Sequence, residues 1–455
     1  MSSRPPEQGD FSDEFYYDAD LRLLQAIPPG ARDILDTDCR SGRLAEVLKH
    51  LDPARRITGI VSPAFAAREV AEHVNPTTCT DRLIVAEIEP AVGDCAPASF
   101  DCILVGHALL CRTDPRATLA LLRPLLRAGG HLLTALPNAQ HWTQIDRLLR
   151  GESGSPVIDD GAPARSFTAP SLIKTFLDAG YLPRIIDRRQ QAAPESWLEA
   201  MRASAARLGL DATAFAARAQ TLSYIIDAQA LVDTAADDNV APITLGACTN
   251  NSVVLAENLL ASACLHGSRH EVLTVEGASS AGEGLNAIIE QAQHELVVLA
   301  HQDVYLPRGW VARLWEQYEI ARQLTGDRVG VMGVYGVRGT PAGIERAGRV
   351  ADRDFVLDEN MPLPAISGSL DELLLIVPKR SPLRFDPALG FHLYGTDIAL
   401  AAERAGLVAV VIDAPCHHNS QQGDALPPAF AASAEYLRAK WPESLPIVTP
   451  CMLVR

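Results

Sequence analysis

Short apolar runs alternate with helical patterns from Asp33 to Ile186. The runs Ile34–Leu35, Ile57–Val61, Leu83–Val85, Cys102–Val105 and His131–Leu136 predict strands, and Leu44–Leu51 and Ala117–Arg127 predict helices between them. Strands that alternate with helices imply a parallel, doubly wound sheet with ligands at the carboxyl ends of its strands. Asp33–Thr37, followed by Gly42 and an amphipathic stretch, reads as the first strand-turn-helix of that sheet. From Pro194 to Ala230 the chain becomes Ala-rich and is expected to be helical.

Between Asp227 and Pro242 the strand signals lapse and Asp, Ala and a Pro collect, which places a boundary and gives domains 1–235 and 236–455. A second alternation follows. Ile243–Cys248, Glu271–Val275 and Glu295–Ala300 predict strands, and Val253–Ala263 and Gly284–Ala292 predict helices. No internal repeat appears and the halves do not resemble each other, so the fold class is α/β with two different domains.

Composition narrows the function. Across 455 residues, 40 Lys+Arg against 56 Asp+Glu leave a net charge of −16, with no basic run, so nucleic acid is excluded as an expected partner. The nine cysteines are scattered without a C-x-x-C pair and read as thiols in a reducing compartment. The opening MSSRPPEQGDFSDEF has no apolar signal core, and no apolar run approaches the ~18 residues a membrane span requires, so a cytoplasmic protein without a transmembrane segment is expected.

Candidate chemistry lies in the second half. In ELVVLAHQDVYLPRGW a very apolar strand, Leu296–Ala300, runs into His301, Gln302 and Asp303. A carboxylate delivered at a strand end suits a divalent metal bound to a diphosphate, because Mg²⁺ and Mn²⁺ take hard oxygen ligands. An Asp after a strand is more often a turn or helix cap. Further along, RFDPALGFHLYGTDIALAAERAGLVAVVIDAPCHHNS places Asp397 at a helix start, a strand at Val408–Ile412, and then His417 and His418. Successive residues of an extended chain face opposite sides, so at most one of the two histidines faces a cleft, and His418 is favoured. His392 is expected to shape a loop, and Tyr394 and Trp310 are candidate apolar platforms as well as candidate core residues.

Taken together, Thr249-Asn250-Asn251, the SSAGEGLN stretch Ser279–Asn286, His301-Gln302-Asp303-Val304, Phe385-Asp386, Gly390–Asp397 and His418-Asn419-Ser420 resemble an A-type-fold glycosyltransferase. The likeness spans residues 243–425 and is to the family 2-like group whose metal motif reads H-Q-D. It implies a nucleotide-sugar donor, held by Thr249, Asn250, Glu276, Asn286, His301 and Gln302, with a Mn or Mg ion on Asp303 and His418. It also implies Asp397 as general base of an inverting transfer, with Thr396 where an acidic pair usually has its other member. The acceptor would be a glycan, lipid-linked or protein group.

Residues 30–185 resemble a class I methyltransferase that uses S-adenosylmethionine, through ILDTDCRSGRLAEVL, FDCILVGHALL, LLRPLLRAGGHLLTALPNAQHW and RSFTAPSLIKTFLDAGY. The cofactor positions depart from that pattern. Asp38 and Arg40 stand at the first two glycine positions and only Gly42 remains. Val61 replaces the ribose acid, Leu110-Cys111 the acid-histidine pair, and Ala162-Pro163-Ala164-Arg165 a T-H-x-R signature. Glu87 alone remains as an adenine-side acid. The expected reading is a metal-dependent glycosyltransferase with a non-catalytic methyltransferase-like scaffold and no S-adenosylmethionine. The alternatives are a bifunctional glycosyltransferase and methyltransferase, or a non-catalytic carbohydrate-binding or assembly protein.

Overall fold

The computed structural model describes residues 22–40, 42–66, 80–106, 109–110, 112–152, 165–232, 237–267, 269–420 and 426–455. Two compact units divide between Val232 and Asp233. Cys79, Cys111 and Ala162–Ala164 lie outside the described residues. Among the described residues no helix is long and apolar enough to cross a membrane, and Cys39, Cys95, Cys102, Cys248, Cys264, Cys416 and Cys451 are free thiols.

The first unit is one seven-stranded sheet built from β1 Asp33–Asp36, β2 Arg56–Val61, β3 Arg82–Val85, β4 Phe100–Val105, β5 Leu126–Pro137, β6 Tyr181–Gln190 and β7 Thr221–Ala230. Its order is β3-β2-β1-β4-β5-β7-β6. The first five strands run parallel, and β7 lies antiparallel between β5 and β6. The strand order reverses at β1 and β4, which is where such a sheet opens its ligand crevice.

Two expectations for this unit are corrected. The stretch Pro194–Ala230 is two helices, Glu195–Arg207 and Ala212–Gln220, followed by strand β7. In TLSYIIDAQA the Tyr and the two β-branched Ile outweigh the Ala content once β5 and β6 supply edges to pair with. The helix expected over Ala117–Arg127 runs Pro115–Leu122 and gives way to a tight turn at Arg123–Leu125, where Pro124 offers no N–H to continue it.

The second unit contains β8 Thr244–Thr249, β9 Glu271–Glu276, β10 Leu296–Ala300, β11 Val304–Tyr305, β12 Val329–Gly333, β13 Tyr335–Thr340, β14 Gly343–Asp352, β15 Phe355–Asp358, β16 Ala365–Ser367, β17 Ser369–Leu370, β18 Leu374–Pro378, β19 Val408–Val411 and β20 Cys416–His418. Its main sheet has the order β16-β19-β12-β18-β10-β8-β9, with β8, β9 and β10 parallel and β18 antiparallel to β10. A smaller sheet has the order β11-β20-β14-β13-β17.

Strand β10 shows why the apolar run is continuous. Leu296, Val298 and Ala300 pack into one core and Val297 and Leu299 into another, so both faces of the strand are covered. Each fully buried Leu or Val is worth roughly 1.5–3 kcal/mol, and the strand is correspondingly fixed beneath whatever follows its last residue. The helix expected over Val253–Ala263 is shorter, ending at Glu257.

Candidate metal centre

His301, Gln302 and Asp303 emerge from the carboxyl end of β10, and the chain then enters β11, which pairs antiparallel with β20. That pairing sets Val304 opposite His418, and Asn419 N donates to the Asp303 carbonyl at 2.9 Å. His418 Nε2 lies 3.4 Å from Asp303 Oδ1, and the His301 and His418 rings are 5.7 Å apart. One ligating atom from each of His301, Asp303 and His418 falls within 4.8 Å of the other two.

The imidazoles are oriented from behind. His418 Nδ1 is 2.6 Å from Asp352 Oδ1, supplied by β14 in parallel register with β20. Burial draws the His418 pKa down, but its hydrogen bonds to Asp303 and Asp352 outweigh this and carry it up to about 10. Burial raises the Asp303 carboxyl, and His418 overcomes that to hold it below its ordinary value. His301 Nε2 meets Tyr394 Oη at 2.9 Å, and that hydroxyl donates to the Glu372 carbonyl at 3.3 Å. Burial and the neighbouring His418 push the His301 pKa down, which favours its neutral form.

This donor set fits a divalent cation. A carboxylate oxygen and two imidazole nitrogens converge, and the second nitrogen of each ring is engaged by Asp352 or Tyr394, the arrangement that fixes tautomer and ring plane in metal sites. The two nitrogens favour Mn²⁺ over Mg²⁺, which prefers oxygen throughout.

The residues expected to contact a donor are partly brought together. Gln302 Oε1 accepts from Thr249 Oγ1 at 2.7 Å, Asn250 N at 3.2 Å and Asn251 N at 3.1 Å, while Gln302 Nε2 donates to Asn250 Oδ1 at 2.8 Å. This binds the loop after β8 to the metal segment. Glu276, exposed at the end of β9, stands in register with Thr249. Asn286 is elsewhere engaged: its amide donates to the Phe385 carbonyl at 2.8 Å and accepts from Phe385 N at 2.9 Å, which makes it a brace between a helix and a loop.

Asp397, expected as the general base, is buried, with Oδ1 accepting from Trp441 Nε1 at 2.8 Å and Oδ2 from Lys440 Nζ at 2.9 Å. Both oxygens thereby anchor the end of the helix Pro428–Lys440. Thr396 is likewise buried, 2.7 Å from Ser369 Oγ. His417 faces the other side of β20, with Nε2 3.0 Å from the Arg353 carbonyl. Trp310 is core, its indole donating to the Ala414 carbonyl at 3.0 Å, and His392 packs on Phe430.

Three acidic residues of this region were not legible in the sequence. Asp352 reaches His418 only through the β14–β20 pairing, 66 residues apart in the chain. Asp371 and Glu372 precede β18, and His301 N donates to the Leu373 carbonyl at 2.9 Å, so they stand beside the metal segment. The one available signal was an acidic pair directly before a buried strand.

In the first unit the switch-point turn is filled by side chains. Asp38 Oδ2 pairs with Arg40 Nε at 3.3 Å, and a Cβ on Gly106, after β4, would lie 2.9 Å from Asp38 Oδ2. Arg40 has φ +42°, the left-handed region that favours glycine, and Gly42 has φ +76°. Val61 is buried at the end of β2, and Glu87 pairs with Arg112 at 3.2 Å.

No family model matches the chain, and no curated protein matches it. Among solved structures it is similar to a methyltransferase from Thermotoga maritima described as a possible histamine N-methyltransferase, at 15% identity over 48% of this chain and 89% of that one, TM-score 0.32. It is similar to an S-adenosylmethionine-dependent methyltransferase from Archaeoglobus fulgidus, at 12% identity over 48% and 94%, TM-score 0.32. The [4+2]-cyclase SpnF is similar at 19% identity over 47% and 82%, TM-score 0.30. At these values no cofactor or substrate is carried over.

Proposed function

We propose that residues 233–455 transfer a glycosyl group from a nucleotide-sugar donor in a reaction that depends on a divalent metal. The observation that supports this reading is the convergence of His301, Asp303 and His418 at the carboxyl end of a parallel strand, with Asp352 behind His418. A divalent ion held there supplies the positive charge that a leaving diphosphate requires. Asp303 and the two imidazoles bind it, Asp352 and Tyr394 orient those imidazoles, and Gln302 holds the Thr249–Asn251 loop against the same site. Thr249, Asn250 and Glu276, at the ends of two adjacent strands, are the groups proposed to face the nucleoside. The substrates named are the donor and a glycan, lipid-linked or protein acceptor.

For the first unit the proposed role is a scaffold, supported by the Asp38 and Arg40 side chains in the turn where a cofactor's backbone contacts would lie. A second reading, in which this unit still holds S-adenosylmethionine and transfers a methyl group, is favoured by its doubly wound sheet with the order reversed at β1 and β4.

The test is a panel of UDP-, GDP- and dTDP-sugars titrated into the whole protein with Mn²⁺ and with EDTA. Binding and slow hydrolysis of one donor with Mn²⁺ only is the expected result. A protein that binds none of them with Mn²⁺ would refute the donor assignment.

A further inference from the structure

Both oxygens of Asp397 already accept hydrogen bonds, from Lys440 and Trp441, whereas an inverting transfer calls for a carboxylate that can take the acceptor's proton. The carboxylates that the sheets bring near the metal segment have other partners in most cases. Asp303 faces His418, Asp352 holds His418 Nδ1, and Asp371 Oδ1 accepts from Leu373 N at 3.0 Å. Glu372 remains. Its segment is fastened to the site at two points, through Leu373 to His301 N and through its own carbonyl to the Tyr394 hydroxyl that also meets His301.

We propose that Glu372 accepts the proton of the acceptor hydroxyl in the transfer reaction, an assignment that rests on the glycosyltransferase reading of this unit. Its carboxylate lies at the N-terminus of the eleven-residue helix Tyr394–Arg404, with Gly395 N 3.4 Å from Oε1. Gly395 makes this approach feasible: a Cβ there would sit 2.5 Å from the Leu370 carbonyl oxygen and 3.1 Å from Glu372 Cγ. The helix N–H groups are fixed dipoles that favour the carboxylate form.

The surroundings set its proton affinity near working pH. Burial and Asp371 raise the Glu372 pKa to about 8 against the pull of the Gly395, Tyr394 and Leu393 N–H groups. From the facing elements come Tyr394, whose own pKa is raised by burial and by Glu372, and Cys451, pushed up to about 11 by burial and by Asp371 and Glu372. A base poised near the operating pH is the efficient one. In the step proposed, the acceptor O–H bond breaks and its proton passes to a Glu372 oxygen. The new O–C1 bond forms as the C1–O(phosphate) bond breaks, and that electron pair leaves on the diphosphate.

The experiment uses the whole protein with Mn²⁺ and the nucleotide-sugar it hydrolyses, water serving as acceptor, and compares wild type with Glu372→Gln and Glu372→Asp. Glu372→Gln should bind Mn²⁺ and nucleoside diphosphate within about threefold of wild type yet lose roughly 100-fold or more in kcat, the scale of a lost general base. The wild-type rate should rise with pH toward about 8 and level off, a rise that Glu372→Gln lacks and Glu372→Asp partly restores. Wild-type turnover in Glu372→Gln overturns Glu372 as the base and leaves the donor reading standing. Loss of metal-dependent nucleotide binding in Glu372→Gln also overturns it, as that marks a role in holding the site. A wild type that neither binds nor hydrolyses any nucleotide-sugar removes the donor reading and Glu372 with it.

Discussion

Asp352 holds the Nδ1 edge of His418 at 2.6 Å and so turns the opposite nitrogen toward Asp303. The pair is made by two strands in parallel register, Asp352 at the end of β14 and His418 at the end of β20. Removing the carboxylate frees the ring to rotate and to change tautomer. Asp352→Ala is expected to weaken Mn²⁺ binding by about 10–100-fold, the usual effect of losing such a partner. Calorimetric titration of Mn²⁺ into variant and wild type checks this, and equal affinities would contradict it.

The proton on His418 makes the metal-free protein sensitive to pH. Its folded pKa is about 10, above the ordinary 6.5, so the stabilisation is fully present below pH 6.5 and is lost as pH rises through 10. Thermal unfolding in EDTA should show wild type losing its advantage over His418→Gln between those values. A Tm difference that stays constant across the window would contradict the assignment.

Asp397 is expected to matter for folding and not for the metal. Asp397→Ala leaves Lys440 and Trp441 Nε1 without this partner, although Lys440 keeps Asp386 at 2.7 Å. The expected cost is about 3 kcal/mol, the lower end for breaking a buried ion pair. Denaturant unfolding measures that loss, and Mn²⁺ affinity of the folded variant should be unchanged.

How much was legible in the sequence follows from which contacts are local. β10 announced itself as an uninterrupted apolar run because both of its faces are covered, and the site segment His301–Asp303 follows directly in the chain. Strand alternation allowed at most one of His417 and His418 to face a cleft, and it is the β11–β20 pairing that brings His418 to Asp303. Asp352 was invisible because its role depends on a strand pairing that no local pattern encodes. For Asp397 only part was local: its place near a helix start could be read from the sequence, whereas the partners of its oxygens arrive from Lys440 and Trp441, more than 40 residues on. β7 was hidden by an Ala-rich context, since its strand character is realised only between β5 and β6.

The filled turn of the first unit predicts that S-adenosylmethionine does not bind. Asp38 occupies the approach beside Gly106, and Arg40 pairs with it. Calorimetry with S-adenosylmethionine on the whole protein should give no heat beyond dilution. A micromolar dissociation constant would displace the scaffold reading in favour of methyl transfer.

The proposed glycosyl transfer depends on Asp303 and its two histidines holding the metal that carries a donor's diphosphate, which is tested by nucleoside diphosphate binding with Mn²⁺, with EDTA, and in Asp303→Ala. Removing that carboxylate leaves the diphosphate's charge uncompensated. Wild type is expected to bind with Mn²⁺ and not with EDTA, and an Asp303→Ala variant that unfolds at or near the wild-type temperature is expected not to bind. Binding that persists in EDTA, or that Asp303→Ala retains at wild-type affinity, would contradict it.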